Sequence, residues 1–458
     1  MIPTMGVRAS SDVIENNNSG IPDQGLYQAI LETLGKKPNQ KFTKQEVEKI
    51  KFVEAACREV KSLKGIGYLK QLEILGIQGN QLKNLKGIEK LTKLETLYAE
   101  DNLIKNLKPL KNLKKLTYID CSRNQIKSLK GIQNLKNLKS LELRNNCLTS
   151  ISEVKNMNKL EYLSISENQL TSIKDLKKLK NLKTLNLSFN QVKSLKGVEK
   201  LTNLTFLNAR GNQLTSIKQV KKLKSLKKLF INENQLKSLN GIQKLLKLEK
   251  LNASSNQLDT LNGIQNLRKL KHLYLGRNYL TSINEIESLK KLWTLDVSYN
   301  RLASLPSFAK IRKLSSFNIL FNNLSTEEIR AKVPTYLIPD MEKYIEYVSV
   351  SQNVDYTIEI TEPVISQISM ATKKITGRTH IPGATIRLML TGDINDEEAI
   401  LYWRYEAKAD ENGNFVFENL DFDKLNPRLN YYIAFDVKNN DYDTESYRDP
   451  GLRWYRIK

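Results

Sequence analysis

The sequence predicts an α/β solenoid of short parallel strands, with a helical segment before it and an all-β module after it. Three observations carry that expectation. Asparagine recurs every 22 residues without a slip, at Asn80, Asn102, Asn124, Asn146, Asn168, Asn190, Asn212, Asn234, Asn256, Asn278, Asn300 and Asn322. Around each one the apolar residues follow L-x-x-L-x-L-x-x-N-x-L-x-x-L, as in Leu182, Leu185, Leu187, Asn190, Val192 and Leu195. Charge also divides the chain: of a formal net +24, residues 1–358 carry +28 and residues 359–458 carry −4. The period and the spacing together are the signature of a leucine-rich repeat.

Residues 1–20 read as a flexible N-terminus, in which Val7-Arg8-Ala9 before Ser10 resembles the cleavage end of a signal peptide. Ile21 to Leu34 has Leu26, Ile30 and Leu34 at helical spacing, and Thr43 to Ile50 reads as a second helix opened by a Thr43–Glu46 capping box. These two form a helical N-terminal cap over residues 21–50, covering a core edge that the first repeat would otherwise expose.

Residues 51–333 hold about twelve repeats plus a degenerate first one, in which Arg58 stands in the asparagine slot. In each repeat the L-x-L step is a strand whose alternate side chains point inward, and neighbouring strands pair into a parallel sheet on a concave face. The sharp turn after the strand strands backbone groups that an inward asparagine, as both donor and acceptor, can satisfy. Twenty-two residues leave room only for a short 3₁₀ turn on the convex face, anchored by apolar pairs such as Ile132 and Leu135. Gly65, Gly87, Gly131, Gly197, Gly241 and Gly263 share one turn slot, where backbone freedom is useful.

Ser325 to Val333 breaks the pattern, and residues 334–362 read as junction strands opened by Pro334 and Pro339. Residues 363–458 alternate in short runs, Thr385–Leu390, Tyr402–Ala407 and Phe415–Phe417, around Pro382-Gly383 and Asn412-Gly413 turns. That is the pattern of an immunoglobulin-like sandwich without its Cys…Trp…Cys triad. Asp410-Glu411-Asn412-Gly413-Asn414 reads as a plain turn, since its glycine falls too early for a calcium loop.

The 22-residue repeats, the front segment Ile21-Pro22-Asp23-Gln24-Gly25-Leu26 to Thr43-Lys44-Gln45-Glu46, and the asparagine-free opening repeat together resemble the internalin family of Gram-positive surface and secreted proteins. The tail is similar to bacterial Ig-like modules through Ile375-Thr376-Gly377 and Pro382-Gly383-Ala384-Thr385-Ile386. The resemblance implies a secreted, extracellular, non-catalytic binding protein of adhesion or virulence type, whose concave sheet engages a host or cell-surface protein. The chain shows no Leu-Pro-x-Thr-Gly motif, so retention on the cell wall would need another attachment.

Residues six, four, two and one before each asparagine face the inner sheet. Two of these columns are rich in aromatics, at Tyr98, Tyr118, Tyr162, Phe206, Phe230 and Tyr274; His272 and Trp293 lie toward the far end, and Glu100, Asp101, Asp120, Glu142 and Glu167 share the front half. Rings beside charges suit a protein interface. Phe189, Tyr299 and Phe321 directly precede the asparagine and are expected to pack on neighbouring repeats. Lysines are expected to avoid this face. Lys86, Lys108, Lys130, Lys174, Lys196 and Lys218 recur six residues after the asparagine, which suggests solvation or attachment to a wall polyanion or acidic glycan. Nucleic acid is disfavoured, because acids among the rings repel phosphate.

No enzyme is expected and no cofactor or metal: two histidines and three cysteines form no cluster, and no phosphate loop is present. No apolar run is long enough to cross a bilayer. An intracellular scaffold built on similar repeats, of the phosphatase-regulator type, is the competing expectation.

Overall fold

In a computed structural model of the chain, residues 12–337 are described, with the segments 358–362, 373–379, 385–391, 402–412, 414–420, 432–438 and 455–456. The signal-like residues up to Ser10, most of the junction with Pro339, His380, the Pro382-Gly383 turn and Gly413 lie outside the described residues. The chain forms two compact units, Met1–Phe230 and Ile231–Lys458.

The first unit opens with β1 (Val13–Ile14), α1 (Gln24–Thr33), β2 (Phe42–Thr43) and α2 (Lys44–Val47). Asp23 caps α1 by accepting from Leu26 N–H, and its other oxygen accepts from the backbone of Lys61 and Ser62, tying the helix to the first repeat. Thr43 and Glu46 form the reciprocal capping box. Arg58, the exception in the asparagine slot, forms a two-pronged ion pair with Glu32 of α1 at 2.9 and 2.6 Å. No repeat precedes it, so there is no upstream backbone for an asparagine to serve; the guanidinium grips the helix instead.

Nine parallel repeat strands follow: β3 (Phe52–Glu54), β4 (Ile74–Gly76), β5 (Thr96–Tyr98), β6 (Tyr118–Asp120), β7 (Ser140–Glu142), β8 (Tyr162–Ser164), β9 (Thr184–Asn186), β10 (Phe206–Asn208) and β11 (Lys228–Phe230). Partners are in register at 22-residue offsets, as in Leu163 opposite Leu185 and Leu207 opposite Leu229. Each strand begins one residue before the L-x-L step and ends before its second leucine. Its central residue and that second leucine are both buried, as at Leu185 and Leu187.

The chain then reverses through a left-handed residue directly before the asparagine, including Asp101, Arg123, Asn145, Glu167 and Phe189, with Gly79 and Gly211 in the same slot. The asparagine mends this reversal. Asn146 Nδ2 donates to the carbonyls of Cys121, Leu143 and Arg144 at 3.0–3.2 Å, and its Oδ1 accepts from Ile126 N–H at 2.9 Å. One amide thus serves two repeats.

The return turns fall into two kinds, set by the residue seven places after the asparagine. Where it is glycine, as at Gly87 and Gly197, it takes φ of +117° and +106° and a three-residue 3₁₀ turn follows. Where it is Pro109, Glu153, Asp175 or Gln219, the 3₁₀ turn runs five residues, as in Lys108–Asn112. The repeat containing Ile132 and Leu135 departs from expectation: it forms plain turns with a Leu135 N–H to Ile132 carbonyl bond of 2.9 Å, although both side chains are buried.

The second unit continues the pattern with parallel β12 (Lys250–Asn252), β13 (His272–Tyr274), β14 (Thr294–Asp296) and β15 (Ser316–Asn318). Where the sequence promised only a break, α3 (Thr326–Lys332) forms. Ser325 caps it, and Glu328 accepts from Leu305 N–H at 2.7 Å, while Ile329 is buried. The S-x-x-E spacing was the signal for this helix.

The C-terminal part contains β16 (Ile358–Glu362), β17 (Ile375–Thr379), β18 (Thr385–Thr391), β19 (Tyr402–Lys408), β20 (Asn414–Phe417), β21 (Tyr432–Lys438) and β22 (Tyr455–Arg456). They form two antiparallel sheets, β16-β17-β20 and β19-β18-β21-β22. β16 was expected in the junction, but it pairs with β17 and so belongs to these sheets. Phe415 and Phe417 are buried while Val416 between them is exposed, the alternation of a half-covered sheet. The Asp410 carboxylate is taken up by Asn412 and Asn414 N–H at 2.8 Å each, as a turn requires.

Candidate functional site

Within a three-residue strand the outer two side chains share the face opposite the core. In the first unit this places Tyr98, Tyr118, Asp120, Glu142, Tyr162, Phe206 and Phe230 on one open sheet face, joined by Glu100 from the turn after β5. Tyr98 is 38% exposed, and Tyr118, Tyr162, Phe206 and Phe230 are half-buried. Asp120 lies deeper, only 7% exposed, with one oxygen accepting from Ser122 N–H at 2.8 Å.

These side chains touch one another across repeats. The Tyr98 and Tyr118 rings lie 5.1 Å apart and tilted by 48°. Tyr118 donates its hydroxyl to Glu142 Oε1 at 2.9 Å. Phe206 and Phe230 form a second tilted pair at 5.6 Å. Crowding three carboxylates onto a half-dry face has an electrostatic consequence. Burial, followed by the hydrogen bond and the charge of Asp120, pushes the Glu100 carboxyl up to about 7. Burial also raises Glu142, as does the charge of Asp120. The Tyr118 phenol is raised by burial and by Glu142.

Two residues beside this group escaped the sequence reading. Arg144 donates from Nε to Glu167 Oε1 at 2.7 Å, a pair in which the carboxylate is fully buried. Arg123 supplies the positive charge that acts on Glu100. Phe52 and Ile74, 47% and 37% exposed, also occupy the column of Tyr118, Tyr162 and Phe206. Register alone would have found them, but Phe52 stands in the irregular opening repeat and an isoleucine such as Ile74 looks like core. The expectation that lysines avoid this face fails at Lys228 in β11, and in the second unit Lys250 takes the same strand position in β12.

The second unit carries its own set. His272 Nδ1 lies 3.1 Å from Thr294 Oγ1, and its ring is 6.1 Å from that of Trp293, which is 56% exposed. Lys250 Nζ sits over the Tyr274 ring at 5.5 Å. Tyr299 and Phe321 stack at 4.1 Å, with Arg277 over Tyr299, and in the first unit Arg210 lies over Phe189. This trio packs on its neighbours.

Lys86, Lys108, Lys130, Lys174, Lys196 and Lys218 are all exposed on the segment leaving the asparagine turn. The three cysteines are free, and burial raises the Cys121 thiol. Among the described residues no group of His, Cys, Asp and Glu is arranged to hold a metal ion, and no helix is long and apolar enough to cross a membrane.

A family model described as leucine-rich repeats in two copies matches residues 114–156, 158–200 and 202–244, and a further leucine-rich repeat model matches 263–302; neither describes a catalytic family. Among solved structures, the chain is similar to an internalin of Listeria monocytogenes at 29% identity, covering 66% of this chain and 91% of that one with a TM-score of 0.64. The functional domain of InlJ from Listeria monocytogenes shares the fold at 18% identity, over 90% of this chain and 93% of that one, with a TM-score of 0.55. No curated protein matches. A leucine-rich repeat protein of Leptospira interrogans is 30% identical, over 62% of this chain and 80% of that one, with a TM-score of 0.55. Twelve asparagine-centred repeats on parallel strands, matched at that level, place this chain in the leucine-rich repeat family.

Proposed function

We propose that this chain is a secreted or cell-surface, non-catalytic protein of internalin-like type that grips a partner protein on the open, concave face of its repeats. The observation that carries the reading is the row of partly exposed rings in the first unit, Tyr98, Tyr118, Tyr162, Phe206 and Phe230. They stand on strands rather than loops, so their positions are fixed before binding, and rigid rings supply contact area at small entropic cost. Likeness to an internalin at 29% identity supports an extracellular binding role. His272, Tyr274 and Trp293 offer a further set of contacts on the second unit. The antiparallel tail would serve as an Ig-like support or spacer.

Replacing Tyr118, Tyr162, Phe206 and Phe230 singly by alanine should weaken binding of a verified partner, with one or two costing about 2 kcal/mol or more. Four variants that fold and bind normally would falsify the assignment. A second reading rests on the six exposed lysines of the first unit, which would hold the protein on an anionic wall polymer or acidic glycan. The intracellular scaffold reading has only the repeat length in its favour. An export signal read upstream of Met1 in the genome would remove it.

A further inference from the structure

The open face changes character along the first unit in a way that the overall composition conceals. Consider the positions six, four, two and one before the asparagine slot, from the repeat of β3 to that of β8. They hold Glu54, Glu100, Asp101, Asp120, Glu142 and Glu167 against two bases, Arg123 and Arg144, in a chain of net charge +24. No lysine occurs among them. Arg144 is committed to Glu167 at 2.7 Å. In the group formed by Glu100, Asp120 and Glu142, Arg123 acts on Glu100 and Tyr118 is bonded to Glu142.

Acceptors continue on the same face. Gln78 Oε1, one repeat before Glu100 in the same position, is buried without a hydrogen-bond partner. Ser166, in that position further on, is fully buried with an unpartnered hydroxyl. Beside this polar strip runs an apolar one. Phe52 and Ile74 are among the most exposed large hydrophobic side chains described, and beside Phe52 opens a cleft of about 620 Å³ whose lining mixes Leu34 and Ile50 with Gln45, Glu46, Lys49 and Lys51.

We propose that this stretch of sheet docks an extended segment of a partner protein bearing an arginine or lysine beside apolar residues. The cation would enter between Glu100, Asp120 and Glu142, and the apolar residues would lie on Ile74 and Phe52. The inference rests on the open-face reading above and names the chemistry of its partner. Charge complementarity selects the occupant: half-dry carboxylates repel one another, and an incoming cation relieves that repulsion. An anionic ligand would meet repelling carboxylates there. The proton that Glu100 holds near neutrality stands where a partner's cation would do better.

The test uses the full chain and two fluorescent ten-residue peptides, one alternating arginine with leucine and the other glutamate with leucine, read by anisotropy. The arginine peptide should bind about tenfold tighter than the glutamate peptide, despite the chain's positive charge. Its affinity should fall about tenfold in the combined variant Glu100→Gln, Asp120→Asn, Glu142→Gln. Taking the unmodified chain from about pH 8 to about pH 6 should weaken it too, as Glu100 takes up its proton. That arm needs no substitution, so it decides the matter should the variant fail to fold. Stronger binding of the glutamate peptide, or affinity for the arginine peptide that neither neutralisation nor acid alters, overturns the proposal. If the tyrosine and phenylalanine variants lose a verified partner while these charge variants keep it, only the cationic chemistry fails. If neither set matters, the open face itself is the wrong surface.

Discussion

At the residue scale, one side chain per repeat does work that no backbone group can. Asn146 fills three carbonyls and one N–H in two adjacent repeats, all from a buried position. Leucine there would keep the branched outline and leave those groups unsatisfied, so Asn146→Leu should lose at least about 2 kcal/mol in urea unfolding. Glu100 offers a second prediction. Its folded pKa of about 7 lies above the ordinary 4.5. Between those values the folded chain keeps a proton that the unfolded chain has released, so this contribution to stability declines as pH rises through the window. Glu100→Gln should flatten that part of the pH–stability curve and leave the chain at least as stable at about pH 8. The asparagines were legible because their spacing is rigid. The raised carboxyl was not, because Glu100 and Asp120 lie 20 positions apart in sequence and meet only when strands pair.

At the element scale, a single position chooses between two return turns. Gly87 has φ +117°, and a Cβ there would meet the Leu63 carbonyl of the preceding repeat. Gly87→Ala should therefore cost about 1–3 kcal/mol, seen as a lower thermal midpoint. The glycine slot was visible in sequence, but the reach of the turn was not: what limits it is the backbone of the preceding repeat, packed underneath. The same holds at the ends. Thr43–Glu46 and Ser325–Glu328 have the same spacing, yet only the first was read as a helix start, since the second follows a run of repeats rather than a loop. Tertiary contact through Glu328 and Leu305 is what fixes α3.

At the scale of the whole molecule, sign and placement of charge matter more than the total. The exposed lysines predict retention on an anionic polymer column that weakens steeply between about 50 and 500 mM salt. Replacing Lys86, Lys108, Lys130, Lys174, Lys196 and Lys218 by glutamine should shift elution to lower salt with folding unchanged; equal elution of the two proteins would count against the polyanion reading. By itself the sequence determined the repeat unit, its strand and its buried leucines, because a 22-residue period admits one way of stacking apolar residues into a common core. It also named the columns that face outward, since alternation along a strand is local geometry. Only the tertiary structure decided which of those residues act together: Tyr118 with Glu142, Arg144 with Glu167, Arg58 with the opening helix. Those partnerships depend on side-chain reach between neighbouring strands, and each is a contact between repeats rather than a property of one.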